Sequence, residues 1–325
     1  MNPPYGGSTA DAKEQMKKLY KNTKNDLYAA FIERATDFLA KGGYGGALTS
    51  RTFLYLSSFQ NLREKILLKK AKPISVLDLG FGILDDAMVE TCATIFSTFA
   101  TNGICDFIRV NNLEDRKNAF KIALSDRGKY RYTIPLKEFN YLPRTPFSYW
   151  ASSSMRKLFD EYPSFDPAVG IVRQGKATGN DGRFVRYCWE VRPDNDRWKP
   201  FAKGGDYSKY YYFVDLVLDW SKDTQELHAK LGNALPNKQH YFREGLTYPR
   251  VTVKGFNVRY LEKGAIFADK GPAVFIDEEN PILLWYLLAL LNSSLTQALL
   301  LHKTHHVAHL KRFKSHSLNG VCRTA

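Results

Sequence analysis

Asn2-Pro3-Pro4-Tyr5 is the segment whose residue types come closest to stating a chemistry. Consecutive prolines hold φ near about −65° and remove two backbone donors. The Asn2 amide oxygen and the Pro3 carbonyl are left as acceptors that can face a pocket, with an aromatic ring just beyond. Such a cluster suits gripping an exocyclic amino group while stacking on the flat ring that carries it. Asn-Pro-Pro-Tyr alone also reads as a loop without chemistry, so its weight depends on its surroundings.

Other segments invite a chemical reading and carry less. Val76-Leu-Asp-Leu-Gly-Phe-Gly82 has the glycine spacing of a nucleotide loop that follows a strand. Such a loop expects an acidic residue about 20 positions on, to hold ribose hydroxyls. No Asp or Glu lies between Glu90 and Asp106, and Asp85 and Asp86 crowd the place where an anionic ligand would sit. The segment therefore reads as a late strand with a turn. His302, His305, His306 and His309 share one helical face, but no carboxylate or thiolate joins them, and no metal is expected. Gly42-Gly43-Tyr-Gly45-Gly46 reads as a connection between a helix and a strand. The four cysteines, Cys92, Cys105, Cys188 and Cys322, form no CxxC pair, which fits free thiols in a reducing, cytoplasmic setting.

The chain carries 47 Lys and Arg against 33 Asp and Glu, a net charge of +14. Residues 126–325 hold 30 basic against 20 acidic residues, residues 1–125 only 17 against 13. Aromatic residues stand among the basic ones, as in Arg183-Phe-Val-Arg186-Tyr and Lys209-Tyr-Tyr-Tyr. Basic charge attracts phosphate by counterion release, and flat rings contact bases. Arg173, Lys176, Arg183 and Arg186 are the candidate DNA contacts, arginine being the usual reader of guanine edges. The first twenty residues are polar and charged, unlike a signal peptide. Ile282–Leu301 is long enough to span a bilayer, but Asn292, Ser293, Ser294, Thr296 and Gln297 interrupt it, so a buried helix is expected.

The elements that must position these residues follow from periodicity. Leu27, Tyr28, Phe31, Ile32, Ala35, Phe38 and Leu39 keep helical spacing behind Asp26, a suitable N-cap. Gly42-Gly43 stops that helix, and Tyr44 to Thr49 reads as a short buried strand. A second helix is expected over about Phe53 to Lys69, then strands at Ile74–Leu79 and within Val89–Phe99. Alternating helix and strand predicts an α/β domain with a parallel sheet. After about residue 135 the rhythm is lost to aromatic, Pro- and Gly-punctuated segments. A division into 1–130 and 131–325 is expected.

In order, NPPY, DLYAAFIERATDFL, GGYGGALTSRTFL and VLDLGFGILDDAMVET resemble the second half of an N6-adenine DNA methyltransferase. The likeness is to the large methylases of type IIG restriction–modification systems and of BREX-type phage defence. TGNDGRFVRYCWEV, KGGDYSKYYYFVDLVLDW, YFREGLTYPRVTVKGFNVRYL and IFADKGPAVFI resemble the target-recognition part of those enzymes. The resemblance implies the C-terminal half of a Rossmann-like S-adenosylmethionine-dependent domain, followed by an α+β target-recognition domain acting on double-stranded DNA. It further implies that Asn2 and the Pro3 carbonyl accept the two amino hydrogens of a flipped adenine. Tyr5 would stack on the base, Pro4 stiffen the turn, and Phe81 form a second aromatic wall, although core packing is an equal reading for Phe81. In that family a cofactor loop precedes NPPY. The chain is therefore expected to be a fragment, inactive alone, whose missing N-terminal half is a separate polypeptide or absent. Enzymes that methylate protein glutamine or guanine N2 in RNA share NPPY, and a non-catalytic DNA-specificity fragment is a third reading.

Overall fold

The computed structural model describes residues 1–4, 10–84, 88–99, 103–111, 113–126, 128–192, 196–231, 235–252, 254–276 and 281–301. The chain forms two compact units, Met1–Glu161 and Tyr162–Ala325. Tyr5 and His302–His309 lie outside the described residues.

In the first unit α1 (Ala10–Leu19) and α2 (Leu27–Phe38) precede β1 (Tyr44–Ser50). Asp26 caps α2 as its sequence position predicts, its side chain accepting from the Tyr28 N–H at 3.3 Å. β2 (Lys72–Gly80), β3 (Thr91–Ser97), β4 (Ile104–Arg109) and β5 (Arg131–Pro135) complete a sheet of order β1-β3-β2-β4-β5. Two helices, α3 (Arg116–Ser125) and α4 (Ser153–Glu161), finish the unit. Tyr28 and Ile32 of α2 pack with Phe53, Leu62, Ile66, Val76, Phe96 and Phe107 in one core.

The sheet is mixed rather than parallel. β3 runs antiparallel to both β1 and β2, so those two point the same way, and β4 runs parallel to β2. Among the described residues no helix lies between β2 and β3, which pair antiparallel. That also decides the Val76–Gly82 segment: its strand leads into an antiparallel neighbour, not into a helix N-terminus that could take a phosphate.

The helix expected over Phe53–Lys69 is broken into 3₁₀ turns at Arg51–Leu54 and Ser57–Phe59 and a π-helical turn at Leu62–Leu67. The cause is long-range. The fully buried Arg63 guanidinium donates to the carbonyls of Phe53 and Leu56, and also to those of Arg144 and Thr145. The Phe147 N–H takes the Leu54 carbonyl at 2.6 Å. Three acceptors of a continuous helix are thus claimed elsewhere, the Phe53 and Leu56 carbonyls by the Arg63 side chain and the Leu54 carbonyl by Phe147. The Arg144 and Thr145 carbonyls hold Arg63 in place from more than 80 positions away.

The sheet also continues past residue 130. β5 and the segment carrying Phe139, Phe147 and Tyr149 pack into the same core, with Tyr149 stacked on Phe107 at 4.8 Å.

The second unit holds α5 (Phe165–Ala168), β6 (Ile171–Arg173), α6 (Asp181–Phe184), β7 (Val185–Tyr187), β8 (Trp198–Ala202), β9 (Leu216–Asp219) and α7 (Lys222–Lys230). β10 (Gly245–Thr247), β11 (Arg259–Leu261), β12 (Ile266–Phe267), β13 (Ala273–Phe275), α8 (Pro281–Leu291) and α9 (Ser294–Leu301) follow. Two four-stranded sheets result, β11-β10-β13-β6 and β12-β8-β9-β7. The apolar run from Ile282 breaks at Asn292, whose side chain bonds the N–H and carbonyl of Val258. Among the described residues no helix is long and apolar enough to cross a membrane.

Burial pulls the Arg63 pKa down to about 10, yet the side chain satisfies four carbonyls. Arg63→Ala should cost at least about 3 kcal/mol in urea unfolding, because buried acceptors lose their donor. A loss below about 1 kcal/mol would mean that those carbonyls find other partners.

Candidate functional site: the carboxyl end of the first sheet

Met1 lies against the outer edge of β1. Its terminal amine donates to the Gly46 carbonyl at 2.7 Å, and its carbonyl accepts from the Leu48 N–H at 3.0 Å. Donation to one residue and acceptance from the residue two further on, bracketing Ala47, is the pattern of a parallel ladder. Asn2, Pro3 and Pro4 therefore run in the direction of β1, toward the end that carries Ser50 and Arg51. Pro3 is buried, while Asn2 and Pro4 are exposed. Open α/β sheets place their ligands at the carboxyl ends of co-directional strands.

The same end of the sheet holds a buried polar network. Arg51, just past β1, donates from Nη2 to Asp78 Oδ2 at 2.9 Å and from Nη1 to Glu90 Oε1 at 3.0 Å. The Tyr149 hydroxyl donates to Asp78 Oδ2 at 2.6 Å, and Asn111 Nδ2 approaches the same oxygen at 3.5 Å. Asp78 Oδ1 and Arg51 Nε have no hydrogen-bond partner among the described residues. Burial raises the Asp78 pKa above the usual carboxylate range, against the pull of Arg51 and the Tyr149 hydroxyl. Burial also opposes the Arg51 charge, but the carboxylates of Asp78 and Glu90 outweigh it and hold its pKa above the ordinary value. Gly80 is required here: its φ is +74°, and a Cβ would meet the Asn111 Cβ and carbonyl oxygen at 2.8 Å.

Phe81 follows Gly80 and is 54% exposed, so core packing does not account for it. Asn2, Pro3, Pro4 and Phe81 thus occupy the strand ends beside the buried network. Sequence reasoning missed Arg51, Asp78, Glu90 and Tyr149 as a group. The available signal was the lone charge inside each of two apolar runs, Ser-Arg-Thr-Phe-Leu and Val-Leu-Asp-Leu-Gly.

No strand of the first unit passes through a glycine turn into a helix, so its described residues do not fit a cradle for a nucleotide-like cofactor such as S-adenosylmethionine. Among the described residues no group of three or more His, Cys, Asp or Glu is placed to hold a metal ion.

The candidate DNA contacts of the second unit do not form one set. Arg183 is exposed, its guanidinium 5.3 Å from the Phe184 ring centroid. Arg186 is half-buried and donates to the carbonyls of Gly182 and Val185. Arg173 is half-buried and paired with Asp166 at 2.9 Å. Lys176 requires a correction: it is fully buried, its backbone bonds Phe267 and Asp269, and burial draws its pKa down to about 8. An ammonium held inside the unit is no surface contact for phosphate. Nor does the charge divide unevenly at the structural boundary. Met1–Glu161 holds 24 basic and 17 acidic residues and Tyr162–Ala325 holds 23 and 16, a surplus of seven in each.

A mixed α/β sheet with its candidate site at the strand ends, followed by a unit of two small sheets, is similar in fold to restriction–modification methyltransferases. The type IIL restriction-modification enzyme MmeI, solved in complex with DNA, matches 97% of this chain and 44% of its own at 14% identity, with a TM-score of 0.58. The Type ISP enzyme LlaGI matches 97% of this chain and 33% of its own at 12% identity, with a TM-score of 0.53.

Sequence comparison is more particular. Residues 1–82 match the Eco57I restriction-modification methylase family. The chain is 29% identical over 316 residues to the adenine-specific methyltransferase BrxX of Escherichia coli O9:H4 (strain HS). It is 28% identical over 331 residues to the adenine-specific methyltransferase PglX of Lacticaseibacillus casei (strain Zhang). These alignments cover 90% and 92% of this chain but 25% and 27% of the relatives, so the chain spans about a quarter of their length. The resemblance to methylases of restriction–modification and BREX systems, expected from the motifs, stands.

His228, on α7, is buried against Phe184 at 4.3 Å, and neither ring nitrogen has a hydrogen-bond partner among the described residues. Burial, with the positive charges of Lys176 and Arg183, draws its pKa from 6.5 to about 4, against the pull of Asp219. A histidine that protonates less readily when folded favours the folded state above about pH 6.5 and loses that contribution as pH falls toward about 4. His228→Phe should flatten the stability loss between those pH values. Urea unfolding at pH 7 and pH 5 checks this: an unchanged difference between the two would remove His228 as its source.

Proposed function

We propose that this chain supplies the substrate side of site-specific DNA adenine-N6 methylation in restriction–modification or phage defence. The observation that carries this reading is the parallel pairing of Met1 with β1, which delivers Asn2-Pro3-Pro4 to the carboxyl end of the sheet. Two acceptors in a rigid turn are what an adenine amino group needs once the base has left the stack. The amino hydrogens are donated to Asn2 Oδ1 and the Pro3 carbonyl. Those bonds pull the nitrogen lone pair out of conjugation with the ring and make it the nucleophile. No metal is needed, and no strong base, because the amino proton leaves after the nitrogen has been alkylated. Positioning and hydrogen bonding then carry the rate.

Tyr5 is assigned to stacking on the base, and Phe81 to a second wall, which its exposure supports. The Arg51–Asp78–Tyr149 network acts through the strand ends, fixing the floor from which these residues project. S-adenosylmethionine is the methyl donor that the relatives' names imply, and we assign its binding to residues other than those described in the first unit. The second unit is assigned to recognition of double-stranded DNA, with Arg183 and Arg186 as contacts. In this reading the catalytic unit is Met1–Glu161 and the recognition unit Tyr162–Ala325.

Asn2 is exposed, so Asn2→Ala should leave the fold intact. Introduced at the native locus, it should slow adenine methylation roughly a hundredfold. N6-methyladenine then disappears from the recognised sequence in single-molecule sequencing of genomic DNA. Unchanged methylation overturns the proposal. Loss of methyl-glutamine or of N2-methylguanine in its place would reassign the pocket to protein or RNA. DNA binding that ignores Asn2→Ala, with no methylation in the unmodified strain, would leave a specificity module.

A further inference from the structure

The segment from Lys203 to Phe213 in the second unit is a surface loop with an unusually rigid foundation. Arg259, 2% exposed, reaches beneath it and donates to the carbonyls of Gly204, Asp206 and Ser208. Its guanidinium also bonds Asn257 Oδ1 at 3.0 Å and lies 4.5 Å from the centroid of the Tyr212 ring. Gly205 has φ +75°, and a Cβ there would meet the Tyr212 ring at 2.7 Å. Tyr210 is held at φ +72°, a conformation that costs a non-glycine residue energy and persists only where its surroundings impose it. They do so through two backbone bonds of 2.9 Å, Tyr210 N–H to Val258 and Tyr260 N–H to Tyr210. Lys209 is tied to the Asn292 carbonyl at 2.8 Å.

What this foundation presents to solvent is aromatic. Tyr207, Tyr210, Tyr211 and Phe213 are all exposed, Phe213 by 60%. Two residues beyond Phe213, the Asp215 carbonyl accepts from the Cys188 N–H at 2.8 Å, and Leu216 pairs with Tyr187. That places the loop's end beside a second exposed pair, Tyr187 and Trp189, whose rings stack at 4.6 Å and 9°. Arg183, exposed, and Arg186, half-buried, precede this pair in sequence on α6 and β7. Side chains rich in ring area yet fixed at the backbone lose little freedom on binding. Rings with adjacent guanidinium groups are the usual platform for unstacked bases on a charged backbone.

We propose that Tyr187, Trp189, Tyr211 and Phe213 form a stacking platform for nucleobases displaced from the DNA helix, with Arg183 and Arg186 at the adjoining phosphates. The occupant is a DNA strand whose bases are unpaired, not intact duplex, since ring faces are reached only by unstacked bases. The platform rests on the DNA reading of the second unit and adds the feature of DNA that this unit contacts.

The test uses the full chain and two probes of equal length and charge, a thymidine oligonucleotide and an abasic one, each titrated by fluorescence anisotropy. The unmodified protein should bind the thymidine strand roughly tenfold or more tightly than the abasic strand, with quenching of tryptophan fluorescence. Tyr211→Ala with Phe213→Ala should erase that preference while leaving the abasic affinity and the salt dependence unchanged. Leucine at both positions should fail to restore it; restoration would overturn stacking in favour of plain apolar contact. Equal binding of both probes by the unmodified protein overturns the platform while leaving the DNA reading in place. Binding of neither probe, nor of duplex DNA, overturns both. A dimer in light scattering that the alanine pair abolishes would reassign the surface to a second copy of the chain.

Discussion

The buried ion pair between Arg51 and Asp78 is the constraint on which the first unit's site depends. It joins the end of β1 to the end of β2, while Glu90 brings in the start of β3 and Tyr149 a segment beyond β5. Removing charge from water is costly, and a buried pair recovers that cost only when the remaining donors and acceptors are also met. Here the Tyr149 hydroxyl and Asn111 share Asp78 Oδ2 with Arg51, and four separate stretches of chain must be in place together. Asp78 Oδ1 and Arg51 Nε have no partner among the described residues, so the cost is recovered only in part. The strand ends that carry Asn2-Pro3-Pro4 and Phe81 are thereby held from below. Specificity of arrangement, more than stability, is what such a network provides.

Two further arginines, one in each unit, do comparable work. Arg63 draws the carbonyls of Phe53 and Leu56 away from helix formation and ties them to Arg144 and Thr145. Arg259 gathers the carbonyls of a glycine-containing loop and so exposes its aromatic rings. In both places a planar cation with several donors replaces regular secondary structure as the organiser of the backbone. The backbone about Phe53–Leu56 and that about Gly204–Ser208, though irregular, is thus held by defined hydrogen bonds.

Much of the local structure was legible. The period of apolar residues behind Asp26 marked α2. β1 and β2 cover the segments that their composition suggested and run one or two residues past them, and β3 falls within its own. Asn292 marked the break in the long apolar run because an amide inside it had to find backbone partners, which it does at Val258. The helix expected from Phe53 to Lys69 was not recoverable. Its periodicity is real, but its acceptors are taken by the Arg63 side chain, itself anchored on the remote Arg144 and Thr145 carbonyls, and by the remote Phe147 N–H. Lys176 looked like a surface cation because lysine usually is one, and nothing in its neighbours announced the burial. The division expected at residue 130 cut through the sheet, since β5 pairs with β4 over a separation that no local signal records.

The sequence by itself determined the chemistry on offer: two prolines and an asparagine that can present acceptors, an order of motifs shared with adenine methylases, and aromatic residues interleaved with basic ones in the second half. Those properties reside in residue type and spacing, which need no fold to be read. Tertiary structure alone decided that β3 reverses the sheet and that Asn2-Pro3-Pro4 follows β1 to its carboxyl end. It alone buried Arg51 against Asp78 and paired Tyr187 and Cys188 with Leu216 and Asp215, beside the end of the loop that carries Tyr211 and Phe213. These outcomes turn on pairings between distant segments, where burial and hydrogen-bond satisfaction over the whole unit override the preference of any single stretch.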